Sequence, residues 1–159
     1  MKSYFITVRT GSSRLPNKST KQISGKATIE YLINNIKNSS ATDNIILCTT
    51  TEDRDDVLCK IAADNDIRFF RGPTDDKLLR WHQACEAYDI DFFVNVDGDD
   101  ILFDVELGDL CFRQMENSDA DFIDGRGLYN DVYGISRNAI EVAVKHKTTT
   151  DTEFVKTFF

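Results

Sequence analysis

"SYFITVRTGSSRLPNKSTKQISGKATIEYLINNIKN", residues 3 to 38, passes from a short β-type run to a polar loop and then to a helical pattern. The run Ser3 to Val8 has strand length and is rich in aromatic and β-branched residues, and it stops at Arg9. In "TIEYLINNIKN" (28–38), Ile29, Leu32, Ile33 and Ile36 recur at helical spacing and share one face. Strand, loop and amphipathic helix make up half of a βαβ unit, and the remaining sequence repeats the alternation. Strands are predicted at 44–50, 67–70, 91–96 and 120–123, and helices at 55–65, 75–88 and 105–118. A last strand at 131–136 runs into a helix at 137–146. Strands alternating with helices imply parallel pairing through right-handed crossovers, so the expected fold is a three-layer α/β structure with a mostly parallel sheet. The chain has 159 residues, 41% of them hydrophobic, which suits one domain with a substantial core.

Charge is unevenly placed. The net charge is −8, too acidic for a broad attraction to nucleic acid or to an anionic membrane. Yet residues 1–29 hold Lys2, Arg9, Arg14, Lys18, Lys21 and Lys26 and no acid. A small positive patch on an acidic body suits a compact polyanion such as a nucleoside triphosphate; a solvated lysine-rich surface would give the same tally. Cys48, Cys59, Cys85 and Cys111 form no CxxC pair and have no neighbouring histidine, so reduced cysteines are expected rather than a zinc site or a disulfide framework. The N-terminus does not read as a signal peptide and no stretch has membrane-span length, which points to a cytoplasmic protein.

In a doubly wound sheet, ligands bind beyond the carboxyl ends of the strands. The loop Arg9 to Ile23 lies in that position. Gly11, Ser12 and Ser13 allow backbone amides to turn inward as an anion nest, and Arg9, Arg14 and Lys18 add charge. One lysine about 4 Å from a phosphate oxygen is worth about 4 kcal/mol at an effective dielectric near 20, so a few such contacts would dominate binding. Neither GxxxxGK[ST] nor a GxGxxG after the first strand is present, which argues against P-loop ATPases and NAD enzymes.

A second cluster follows the most apolar strand. "VNVDGDDILFD" (94–104) sets Asp97, Asp99 and Asp100 within four positions. Buried carboxylates this close repel one another, and a divalent cation relieves the repulsion; Mg²⁺ takes one or two carboxylates together with substrate phosphate. The alternative is a solvated turn shaped by Gly98.

These stretches carry a resemblance. "RTGSSRLPNK" (9–18) is similar to the RxGSxRLPxK signature of the nucleotide-sugar cytidylyltransferases, both the SpsF-like spore-coat proteins and, more loosely, the acylneuraminate and 3-deoxy-manno-octulosonate enzymes. "SGKATIEYLI" (24–33) resembles the following GKPLLEYxI, with Ala27-Thr28 in place of Pro-Leu. The acidic turn resembles NVQGDEPLID or GDCPLID, with Asp99 on the metal-binding aspartate and Asp100-Ile101 where the family has Glu-Pro or Cys-Pro. "RGPTDDKLLRWHQA" (71–84) resembles the spore-coat RGSEDDVLDRYYQA segment near the nucleotide, matching at Asp76 and Arg80. An exposed i,i+4 pair would also account for those two residues. "DTEFVKTF" (151–158) echoes EHVTPY, with Phe154 in place of the histidine. The likeness is good over 5–35 and 44–110 and weak after 120.

The resemblance implies a Rossmann-like fold of the nucleotide-diphospho-sugar transferase (GT-A-like) type. It implies an enzyme that moves CMP from CTP to an acidic sugar and releases pyrophosphate, for surface polysaccharide synthesis. Lys18, Arg14 and Asp99 would be catalytic; Arg9, Gly11, Ser12, Ser13, Arg14, Lys18, Asp76 and Arg80 would bind nucleotide; Asp99 and Asp97 would hold Mg²⁺. A homodimer is also implied. Residues 1–159 would form a single nucleotidyltransferase domain without the family's last strand, whose "VDTPEDL"-like motif carries a second metal aspartate; Asp124 and Asp131 are candidate substitutes. Two rivals stay open. "VDGDD" contains the DxD of GT-A glycosyltransferases, which use nucleotide diphosphate-sugars, and a non-catalytic nucleotide-binding module would have the same loops.

Overall fold

A computed structural model of the chain describes residues 1–11, 15–126 and 131–159. In chain order the elements are β1 (Lys2–Thr7), β2 (Gln22–Ile23), β3 (Lys26–Ala27), α1 (Thr28–Ile36), β4 (Ile45–Thr50), α2 (Asp56–Asp64), β5 (Arg68–Gly72) and α3 (Lys77–Tyr88). They continue with β6 (Phe92–Asp97), α4 (Val105–Glu116), β7 (Phe122–Arg126), β8 (Asp131–Ser136) and α5 (Arg137–His146). Six strands form one sheet in the order β5-β4-β1-β6-β8-β7. β1 pairs in parallel with β4 and β6, and β4 with β5.

The expected layers are present. Side chains alternate along each strand and supply two cores. Tyr4, Ile6, Ile45, Leu47, Val94 and Val96 face α1, α2 and α4, while Phe5, Ile46, Cys48 and Phe93 face α3 and α5. On the α3 side Trp81 is fully buried, edge-on to Phe93, which stacks on Phe5. All four cysteines are free, and Cys48, Cys85 and Cys111 are buried. No helix among the described residues is long and apolar enough to cross a membrane.

The sheet is mostly parallel, as expected, and turns antiparallel at one edge. β8 runs antiparallel to both β6 and β7. Only residues 127–130 separate β7 from β8, and a parallel connection needs a crossover of a dozen residues or more. The strand expected at 120–123 is displaced to Phe122–Arg126, where it pairs with all but the end of β8. A small antiparallel hairpin, β2–β3, also interrupts what reads as a continuous loop after β1.

Helix starts follow side-chain caps. Asp76, Asp104 and Ser136 each accept the amide of the third following residue, so α3 begins two residues later than the pattern suggests. Beneath α4, the buried Asp109 carboxylate accepts from Tyr4 Oη at 2.7 Å, from Ser39 Oγ at 2.5 Å and from the Ser40 amide at 2.7 Å. Burial alone would push Asp109 up, but these donors outweigh it and hold the carboxyl below the usual range.

The sheet order also positions the site. From β1 the chain moves outward through β4 and β5, then returns to place β6 on the other side of β1. The crevice at such a reversal is where open α/β sheets bind ligands.

Candidate active site

At the carboxyl ends of β1 and β6, Thr7 pairs in register with Asp97, and the Gly98 amide donates to the Thr7 carbonyl at 2.9 Å. A cleft of about 400 Å³ opens above this junction. It is lined by Arg9, Gly11, Lys18, Lys77, Arg80, Asp97, Gly98, Asp99 and Glu153, with Thr7, Val8 and Ser19. The cation-rich loop after β1 and the acidic turn after β6 thus face one another.

Their meeting is direct. Lys18 Nζ donates to Asp99 Oδ2 across 81 positions of sequence. The loop is folded back to make this reach: the Asn17 amide bonds the Thr10 carbonyl at 3.1 Å, and Thr28 Oγ1 at the start of α1 bonds the Lys18 carbonyl at 2.7 Å. Asn17 adopts φ 56, a left-handed conformation that asparagine tolerates better than most residues. Arg9 extends toward the other wall, 3.6 Å from Glu153 and 3.9 Å from Asp75.

α3 supplies two more cations. Lys77 lies in its first turn, and Arg80 one turn on is almost fully buried, with Nε and Nη1 lacking a hydrogen-bond partner among the described residues. Burial lowers the Arg80 pKa, and Arg9 nearby pushes in the same direction. A buried guanidinium with idle donors at a cleft wall is costly unless something anionic or carbonyl-bearing arrives. Arg80 is therefore not half of an exposed i,i+4 pair. Its sequence partner Asp76 is buried, caps α3, pairs with Lys147 and does not line the cleft.

Asp97 differs from Asp99. Its side chain reaches solvent in the open cleft, but desolvation by the cleft walls raises its pKa; Lys77 and a 3.5 Å contact from Asn95 Nδ2 oppose the rise, while Asp99 and Glu153 add to it. It makes no ion pair among the described residues. A carboxylate in a cleft that is held in no close ion pair, beside a second one, fits a magnesium ion that takes one or two carboxylates and completes its shell from substrate and water. No cluster of three acidic, cysteine or histidine side chains occurs among the described residues, so the fit is to such a two-carboxylate site. Asp100 does not line the cleft. Asp124 stands 3.4 Å from Lys156, also away from it. Ser12, Ser13, Arg14 and the Asp131 side chain lie outside the described residues.

Gly98 is where the two strand ends touch. A Cβ there would lie 2.5 Å from Val8 Cβ and 2.7 Å from Val8 Cγ2. Gly98→Ala should force β1 and β6 apart at the cleft floor, destabilising the fold by about 1–3 kcal/mol, the usual range for overpacking. A wild-type melting temperature for this variant would contradict the contact.

A profile of the cytidylyltransferase family matches residues 4–158. The chain belongs to the cytidylyltransferase family. Among curated relatives, the spore coat polysaccharide biosynthesis protein SpsF of Bacillus subtilis is 25% identical over 123 residues, covering 75% of this chain and 51% of SpsF. The 3-deoxy-manno-octulosonate cytidylyltransferase 2 of Hydrogenovibrio crunogenus is 32% identical over 106 residues, covering 64% of this chain and 42% of its own. This family member spans about half the length of the curated relatives it matches. The solved structure of CMP:2-keto-3-deoxy-manno-octonic acid synthetase complexed with CTP superposes with a TM-score of 0.77 at 13% identity, covering 99% of this chain and 85% of that one, and so shares the fold.

Within the cytidylyltransferase frame, Lys77 and Glu153 are the charged lining residues that motif reading misses. Lys77 follows a matched aspartate at a position that reads as ordinary helix surface. Glu153 reaches the cleft because the segment 147–158 folds back on α3: Thr152 Oγ1 accepts from the Leu78 amide at 3.1 Å, and Val155 is buried against the second core. Phe154, at the position of the family's histidine, is 81% exposed.

Proposed function

We propose that this chain is a magnesium-dependent cytidylyltransferase that moves CMP from CTP to a sugar acceptor and releases pyrophosphate. The observation that carries this reading is the closure of Lys18 on Asp99 above a cleft also lined by Arg9, Lys77, Arg80 and Asp97. The names of two relatives, a cytidylyltransferase for 3-deoxy-manno-octulosonate and a spore coat polysaccharide biosynthesis protein, support an acidic sugar and a role in surface polysaccharide synthesis.

In the proposed reaction a hydroxyl oxygen of the sugar bonds to the α-phosphorus of CTP, the bond from that phosphorus to the bridging oxygen breaks, and pyrophosphate leaves. The hydroxyl proton passes to solvent. Such transfer depends on positioning and on neutralising charge rather than on a covalent intermediate. Arg9, Lys18 and the amides around Gly11, Ser12 and Ser13 bind the phosphate chain, and Arg14 compensates the leaving pyrophosphate. Arg80 offers its unpaired donors to the nucleotide. Asp76 acts at one remove, by capping the helix that carries Arg80. Asp99 and Asp97 would hold Mg²⁺, whose contribution is to draw negative charge from the α-phosphate and the leaving group.

The test is ligand choice followed by turnover. CTP with Mg²⁺ at about a hundred times its Kd should raise the melting temperature by roughly 5–10 °C, and UDP-glucose should not. With 3-deoxy-manno-octulosonate or N-acetylneuraminate as acceptor, pyrophosphate should appear in step with a CMP-sugar. A shift with UDP-glucose alone would indicate a glycosyltransferase. CTP binding with no pyrophosphate from any acceptor would leave a nucleotide-binding module.

A further inference from the structure

The turn between β4 and α2, "TEDRDD" (51–56), matches no phosphate-binding motif, yet it packs directly against the loop after β1. Asp55 accepts the Thr10 amide at 2.8 Å and Thr10 Oγ1 at 2.6 Å from below. Arg54, one residue earlier, covers the next residue of the loop. A Cβ built on Gly11 would meet Arg54 Cζ at 2.7 Å, Nη2 at 2.8 Å and Nη1 at 2.9 Å. Three nearly equal distances mean that the planar guanidinium lies flat over the place where Gly11 lacks a side chain. Gly11 lines the cleft and Arg54 does not, so the guanidinium sits at the rim, resting on a cleft residue.

Its charge is not spent locally. Arg54 makes no ion pair among the described residues, although acids flank it. Asp55 is occupied by Thr10 and Thr50, and Asp56 is held by Arg71 at 2.6 Å. The cleft meanwhile has charge to make up. Arg9, Lys18, Lys77 and Arg80 are offset by Asp97, Asp99 and Glu153, which leaves one net positive charge facing a triphosphate of about four negative charges. A guanidinium presents a planar fork that suits two phosphate oxygens at once, and stacking on a glycine leaves the fork's edge free.

We propose that Arg54 is a phosphate-binding residue at the rim of the cleft, seated flat on Gly11 and donating to the phosphate chain of the nucleotide. This inference rests on the nucleotide reading above. It also gives Gly11 a second role: a larger residue there would displace the guanidinium.

Titration calorimetry with CTP and with cytidine, at two salt concentrations, tests it. Arg54→Gln should weaken CTP about tenfold, leave cytidine unchanged and make the salt dependence of CTP binding shallower. Arg54→Lys, which keeps the charge but not the flat fork, should fall between. Gly11→Ala should lose about as much CTP affinity as Arg54→Gln, and the double variant should be no worse than either single one. The proposal is overturned if Arg54→Gln binds CTP as tightly as wild type, or if it loses CTP and cytidine affinity equally. It is also overturned if the Gly11 and Arg54 losses simply add. Failure of the wild type to bind CTP at all would remove the nucleotide reading together with this inference, whereas an unaltered Arg54→Gln in a CTP-binding wild type would remove only the latter.

Discussion

Lys18→Ala is expected to slow pyrophosphate release from CTP by about two to three orders of magnitude, the loss usual when one preorganised charge contact to a transition state is removed. The fold should scarcely notice. The Lys18–Asp99 pair is partly exposed, with side chains 27% and 48% accessible, and ion pairs of that kind contribute about 0–1 kcal/mol. At this chain length that is roughly a 2–4 °C change in melting temperature at most. Without the lysine, Asp99 still reaches water, so no buried charge is stranded. Asp99→Asn should lose a similar factor in rate, but its magnesium dependence should move the opposite way. In the free protein Lys18 occupies the carboxylate assigned to Mg²⁺ in the proposed reaction. Removing Lys18 relieves that competition, so the residual activity of Lys18→Ala should saturate at the same or lower Mg²⁺, whereas Asp99→Asn should require more. Steady-state pyrophosphate assays across a magnesium series read both effects. Either variant retaining more than about a tenth of wild-type turnover would refute the assignment.

How far the sequence discloses this arrangement depends on the kind of signal each part leaves. The buried strands are legible because alternate residues such as Phe5 and Ile6 fill cores on opposite faces and leave an unbroken apolar run. The two loops are legible because like charges gathered at strand ends call for a counter-charge, and the pairing of Lys18 with Asp99 is that counter-charge in the free protein. Direction is less legible. β8 reads as one more strand, and only the four residues separating it from β7 disclose that it must turn back. Least legible are the groups whose burial contradicts their polarity. Asp76 and Arg80 sit at i and i+4 on what looks like a solvated helix face, yet both are buried: Arg80 lies against Gly72 of β5, and the segment 147–158 brings Lys147 and Thr152 to Asp76. Nothing local to α3 encodes those contacts. Asp55 is another such group, a fully buried acid inside the most acidic turn of the chain.

Replacing Asp55 by alanine is expected to cost far more stability than Lys18→Ala or Asp99→Asn. Its carboxylate is the acceptor for the Thr10 amide and for the hydroxyls of Thr10 and Thr50, all within the protein. Alanine leaves these donors facing one another in a place water reaches poorly. Buried donors left unsatisfied cost about 1–3 kcal/mol each, so a total loss of about 3–4 kcal/mol is expected, or roughly 10 °C in melting temperature. Since Thr10 precedes Gly11, the loop beneath the phosphates should also loosen, and CTP affinity should fall with stability. The effect has a distinctive pH dependence. Desolvation pushes Asp55 up, but the hydrogen bonds from Thr10 and Thr50 outweigh it and hold its folded pKa below the ordinary carboxylate value. The charged form is thus favoured by folding, and its contribution is complete above an unfolded pKa of about 3.9 and disappears as pH falls through the depressed folded value. Wild type should therefore lose stability faster than Asp55→Ala on acidification below about pH 5, and the gap between them should narrow. Asp109, held low by its own donors, remains in both proteins and gives the variant some acid sensitivity of its own. Urea denaturation at several pH values between 7 and 3 measures the gap directly. A stability difference that stays constant over that window would mean that Asp55 is not the ionised acceptor on which the loop rests.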